Sequence, residues 1–111
     1  MELPNAERAL VDPRKLRDYA LSPTHPVGRF KAAFFARLGF TTENWESLGL
    51  ELRRLALQDS AEPSEKTEFG QKYLVRGIIL GPTGVSAEIR SVWIILSGEQ
   101  VPRLVTIYPE D

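Results

Sequence analysis

Three runs rich in β-branched and aromatic residues, KYLVRGIIL, VSAEIRSVWIIL and VPRLVTIYP, close the chain, joined by the short links GPTG and SGEQ. Runs of that composition separated by tight-turn residues form hairpins, and consecutive hairpins form an antiparallel meander. Pro82 suits the first corner of the first turn. Pro102 lacks a ladder donor and sets the start of the last run at an edge. If GPTG pairs Leu80 with Val85 and SGEQ pairs Leu96 with Val101, side-chain alternation sorts the faces. Tyr73, Val75, Ile79, Val92, Ile94, Leu96, Val105 and Ile107 then form an apolar face for helices to cover. Lys72, Leu74, Arg76, Ile89, Ser91, Trp93, Leu104, Thr106 and Tyr108 form a mixed face of cations, hydroxyls and aromatics.

The first half of the chain has helical spacing instead. In VDPRKLRDYAL, Asp12 is an N-cap and Pro13 suits the first helical position, with Leu16, Tyr19 and Ala20 following. The prolines of SPTHP stop this helix. Pro26 opens a second, with Phe30, Ala33, Phe34 and Leu38 on its buried side, Phe35 widening that side, and Gly39 at its end. A third begins near Thr42 and buries Trp45, Leu48, Leu52 and Leu55. The polar, proline-interrupted stretch QDSAEPSEKTEFG reads as a loop. The expectation is an α+β fold in one domain spanning 1–111. About three N-terminal helices pack on one face of a C-terminal antiparallel β-meander of three to four strands. The helical half covers about 12–58, the loop about 59–70 and the sheet half about 71–109.

A chain of 111 residues with 42% hydrophobic and 26% charged residues suits one ordinary globular core. With no cysteine and one histidine, disulfides, thiolate chemistry and Cys- or multi-His metal sites within one chain are excluded. No metal and no cofactor are expected. No apolar run approaches a membrane span, and the chain reads as cytoplasmic, or else as a module of a larger protein. The net charge of −1 argues against a general nucleic-acid coat, but between Pro13 and Arg37 lie Arg14, Lys15, Arg17, Arg29, Lys31 and Arg37 against a single acid, Asp18. The acids Glu43, Glu46, Glu51, Asp59, Glu62, Glu65 and Glu68 read as capping and solubilising residues.

Two constellations carry chemistry. His25, followed by Arg29 and Lys31, joins the one side chain that titrates near neutrality to two cations. Phosphodiester cleavage needs a base, an acid and cations for the charge that builds on phosphorus. The bland alternative is a turn histidine whose ring nitrogens satisfy backbone groups. Lys72, Arg76, Ser91, Thr106 and Tyr108 on the mixed sheet face would make a phosphate and base platform, or else an ordinary solvent-facing surface.

The segments LPNAERALVDPRKLRDYALSPTHPVGRFKAAFFARLGF, FGQKYLVRGIILGPTG, VWIIL and VPRLVTIYPED resemble a small bacterial family known only as a domain of unknown function. HPVGRFKAAFF is the most specific part. Members of that family stand alone or end large secreted proteins, which implies toxin-like neighbourhoods. Helices followed by a meander that closes on VTIYP also resemble, more distantly, the barnase/EndoU/colicin/RelE group of metal-independent ribonuclease toxins. That resemblance implies His25, Thr106 and Tyr108 as catalytic residues, on the closing T-x-YP stretch and the helical histidine. Many of the group use a second histidine that this chain lacks, so Lys31, Arg76 or Arg90 would substitute.

Two readings of function follow. In the first, the protein is a small metal-independent endoribonuclease of toxin type. His25 is its acid or base, Arg29, Lys31, Arg76 and Arg90 bind phosphate, and Thr106 and Tyr108 orient RNA. In the second it is a catalytically silent module that binds a small antitoxin-like protein, or a homodimer, through Trp93, Leu104 and Tyr108. The first requires the imidazole to lie over the hydroxyl-bearing side of the meander.

Overall fold

Asp12 opens the first helix as its position predicts: its carboxylate accepts from the Arg14 N–H at 2.9 Å, with Pro13 at the first helical position. In the computed structural model, which describes residues 1–110, this helix, α1 (Pro13–Lys15), widens at once into a π-helical stretch, Leu16–Ala20. The wide turn closes on the Leu21 N–H donating to the Leu16 carbonyl at 2.8 Å. Helix α2 (Arg29–Leu38) ends at Gly39, whose φ of +98° is the left-handed conformation that glycine adopts freely. Helix α3 (Trp45–Gln58) follows a 3₁₀ turn over Thr42–Asn44, capped by Thr41 rather than Thr42.

Helix α3 buries Leu48, Leu52 and Leu55 as its spacing predicts. Helix α2 is rotated from expectation. Ala32, Phe35 and Leu38 face the core, while Phe30 and Ala33 lie outside, Phe30 with 70% of its surface exposed. The start of α2 makes a close approach: a Cβ on Gly28 would lie 2.0 Å from the Tyr19 carbonyl oxygen. Only glycine lets the start of α2 approach the π-helical stretch so nearly.

The helices precede a four-stranded antiparallel sheet of order β1-β2-β3-β4, formed by β1 (Ala61–Thr67), β2 (Gly70–Leu80), β3 (Ser86–Leu96) and β4 (Arg103–Pro109). Strand β1 occupies the stretch expected to be a loop. It is a polar edge strand with only Ala61 buried, it carries Pro63, and its register shifts between Pro63 and Lys66. Charge, proline and a bulge are the features that keep an exposed edge from pairing with another chain, and they erase the hydrophobic signature of a strand.

The first hairpin also differs. Leu80 pairs with Ser86, not Val85, and the Gly81 N–H donates to the Val85 carbonyl at 2.9 Å. One extra loop residue turns the whole of β3 over. Ile89, Ser91 and Trp93 therefore lie under the helices, and Val92, Ile94 and Leu96 face the other way. A second shift between Val92 and Trp93, where Val105 is the extra residue of β4, restores the expected alternation beyond it. Ile107 is buried, whereas Thr106 and Tyr108 sit across from Val92 and Arg90 on the outward face.

Trp93 is fully buried, its indole N–H donating to Ser91 Oγ at 2.9 Å, and Ser91 donates in turn to the Val75 carbonyl at 2.9 Å. Leu104 retains 4% exposure. Neither can contact a partner, so a docking surface made of Trp93, Leu104 and Tyr108 is reduced to Tyr108 alone. No described helix is long and apolar enough to cross a membrane.

Candidate functional site

Lys31, on the first turn of α2, reaches past the edge of the sheet to β4. Its ammonium donates to Thr106 Oγ1 at 3.0 Å and to the Tyr19 hydroxyl at 3.1 Å. It also lies 4.7 Å from the centre of the Tyr19 ring and 4.4 Å from that of Tyr108. Two electron-rich rings and two hydroxyls thus hold one cation in place. The group lines an open cleft of about 570 Å³ together with Lys15, Val27 and Val105. Among the described residues no carboxylate pairs with Lys15 or Lys31. A cleft with two ammonium groups, hydroxyls and aromatic faces is suited to an anion attached to a ring system.

His25 stands beside this cleft. Its Nδ1 accepts the backbone N–H groups of Val27 and Gly28, each at 3.0 Å, and its ring meets Tyr19 edge to face with centroids 4.9 Å apart. The imidazole therefore caps the turn that starts α2, doing with a ring nitrogen what Ser or Asp does with oxygen. Two N–H donors on Nδ1 assign the ring proton to Nε2. In that tautomer the ring can donate a hydrogen bond from Nε2 but has no free lone pair with which to take a proton. The geometry supports a donor role and not that of a base.

The expected phosphate ligands divide. Lys31 is at the centre of the cleft. Arg29 stacks on Phe30, 4.8 Å from its ring centre, and lines a different groove with Leu21 and Phe40. Arg76 and Arg90 face each other across β2 and β3, and Arg90 in turn faces Tyr108 across β3 and β4. Both arginines are already engaged: Arg76 by Glu62 at 3.1 Å, and the two together by Glu110 at 3.5 and 3.2 Å. Lys72 is paired with Glu65 at 3.2 Å. Ser91, expected on this face, is buried beneath the helices.

Two polar lining residues, Tyr19 and Lys15, are not marked as site residues by the sequence. Tyr19 looks like a core position by its spacing, and Lys15 like a solvated helix charge. The π-helical stretch brings Tyr19 to the cleft, and nothing in DPRKLRDYAL marks it. Among the described residues no three His, Cys, Asp or Glu side chains cluster as metal ligands would.

A family model described as a domain of unknown function (DUF6883) matches residues 2–111. No curated protein matches the chain. Among solved structures, a chain of a contact-dependent growth inhibition toxin–immunity protein complex from Klebsiella pneumoniae 342 is similar in fold. Its TM-score is 0.72 at 16% identity, over 96% of this chain and 97% of that one.

Proposed function

The chain belongs to the DUF6883 family, and from that footing we propose that it is a toxin-type domain that takes the RNA backbone into the Lys31 cleft and cleaves it without a metal ion. The observation that carries this reading is the Lys31 ammonium, fixed by Thr106, Tyr19 and Tyr108 at an open surface, with no carboxylate paired to it among the described residues. A prepositioned cation is what the charge building on a pentacoordinate phosphorus requires, and it needs no rearrangement during the reaction. Lys31 stabilises that charge. Tyr108, 40% exposed, offers a ring for a base to stack on, and Thr106 holds Lys31 in line. His25 Nε2–H is assigned as a hydrogen-bond donor to the leaving oxygen. The 2′-hydroxyl gives up its proton to solvent water as it bonds to phosphorus, and the leaving oxygen takes one from solvent as its bond to phosphorus breaks. An RNA substrate places the activity in a cytoplasm.

The test is incubation of total RNA with the protein in EDTA, beside Lys31→Ala. Cleavage by the parent protein that the variant lacks supports the reading. Intact RNA in both overturns it.

The solved neighbour's place in a toxin–immunity complex favours a second reading, in which the same surface binds a small immunity-type protein and is catalytically silent. With Trp93 and Leu104 buried, the contact would centre on Tyr108 and the cleft beside it. Intact RNA, with a cognate protein that binds the parent but not Tyr108→Asp, would favour it.

A further inference from the structure

One row of the sheet runs Arg76, Arg90, Tyr108 from β2 to β4, and Lys31 lies over its last member. The Arg90 guanidinium stands 5.5 Å from the Tyr108 ring centre, so two cations lie close to the Tyr108 ring. Like charges directly opposite each other on neighbouring strands repel, and Arg76 and Arg90 are such a pair. Glu62 holds Arg76 alone from β1, and one carboxylate, that of Glu110, reaches both. Glu110 is placed there by its own backbone, whose N–H donates to the Glu88 carbonyl at 3.0 Å and continues the ladder past the end of β4.

The carboxylate is poorly seated for that task. Glu110 Oε2 and Arg90 Nε are both buried, 3.2 Å apart, yet neither makes a hydrogen bond. The contact is one of charge alone, whereas a guanidinium satisfied by a phosphate or carboxylate usually takes two aligned N–H···O bonds. An oxygen-rich anion approaching from solvent would satisfy both arginines better than Glu110 does.

We propose that Arg76 and Arg90 form a second phosphate subsite, that Glu110 occupies it as a displaceable internal carboxylate, and that it takes the next phosphate of the single-stranded RNA held in the Lys31 cleft. This rests on the reading of that cleft as an RNA site. Glu110 then sets how tightly RNA is held: it covers the subsite when the protein is free and swings out when the strand crosses Tyr108.

The experiment measures binding of a single-stranded oligoribonucleotide with 2′-O-methyl riboses, which cannot be cleaved through the 2′-hydroxyl, over a range of salt concentrations. Glu110→Gln should tighten binding roughly fivefold at low salt and steepen the dependence of log K on log salt by about 0.7, one more phosphate neutralised. Glu110→Gln with Arg90→Gln should lose that gain. Unchanged or weaker binding by Glu110→Gln, while Lys31→Ala still abolishes it, overturns the subsite and leaves the cleft reading intact. Should no variant bind the strand, calorimetry with inorganic pyrophosphate decides. Binding to Glu110→Gln that Arg90→Gln removes sustains the anion subsite and retires RNA as its ligand. No binding to Glu110→Gln overturns the subsite outright.

Discussion

Lys31 on α2 and Thr106 on β4 are 75 positions apart in the chain, and the lysine ammonium donates to the threonine hydroxyl at 3.0 Å. That bond joins the helical half to the edge strand at the cleft. Thr106→Val keeps the shape and removes the acceptor. Stability to urea should fall by about 0.5–1.5 kcal/mol, the usual net value of one hydrogen bond. No change would mean that the ammonium is held by the two phenol rings alone.

His25 is tested by the difference between two substitutions. His25→Ala strips the cap from the turn into α2 and should cost about 1 kcal/mol. His25→Asn supplies an amide oxygen to the same N–H groups and should recover most of that stability. If His25→Asn restores stability but not RNA cleavage, the Nε2–H has a chemical role. If it restores both, the ring is a cap and nothing more.

Gly28 is the hinge of the arrangement. Gly28→Ala sets a methyl 2.0 Å from the Tyr19 carbonyl, so α2 must move away from the π-helical stretch. Such overpacking costs about 1–3 kcal/mol. Because Tyr19 and Lys31 lie on the two segments being separated, cleavage should fall by more than the stability loss explains. Retained cleavage would show that the cleft tolerates their separation.

The sequence carried the α+β class, the meander and helix α3 because those rest on strong periodicity. It missed β1, since Glu62, Pro63 and Glu65 read as loop residues and act as an edge strand whose acids hold Arg76 and Lys72. The faces of the sheet depended on a single loop residue: Val85 joins the turn, and Trp93 and Ser91 move from surface to core. Thr106 and Tyr108 were nevertheless placed on the outward face, because the β4 bulge cancels the error of the turn. His25, Lys31, Thr106 and Tyr108 were each legible as candidates. Their geometry was not, because the π-helical stretch that brings Tyr19 to Lys31 has no signature in residue type.

Glu51 was read as a solubilising acid, yet it ties α3 to the sheet. It accepts the Leu80 N–H at 2.8 Å and pairs with Arg54 at 3.1 Å. Partial burial pushes its carboxyl up, but the Arg54 guanidinium and the Leu80 N–H together outweigh that and hold it below its ordinary value. Asp12 is lowered to about 2 by its bonds to the Arg14 side chain and N–H. A lowered carboxyl contributes stability that is present above the unfolded-state value and lost as pH falls through the folded one. Urea midpoints should therefore drop between about pH 4.5 and about pH 2, and Glu51→Gln should flatten that fall. An acid limb unchanged by Glu51→Gln would remove Glu51 from the account.

The most direct measurement is the single-turnover cleavage rate of an oligoribonucleotide in EDTA, for the parent protein and for Lys31→Ala, with a 2′-O-methyl strand as control. The account predicts cleavage of the ribose strand only, and a loss on the order of 100-fold in Lys31→Ala, the usual effect of removing one preorganised charge-stabilising group. Equal rates for parent and Lys31→Ala, or cleavage of the 2′-O-methyl strand, would contradict it.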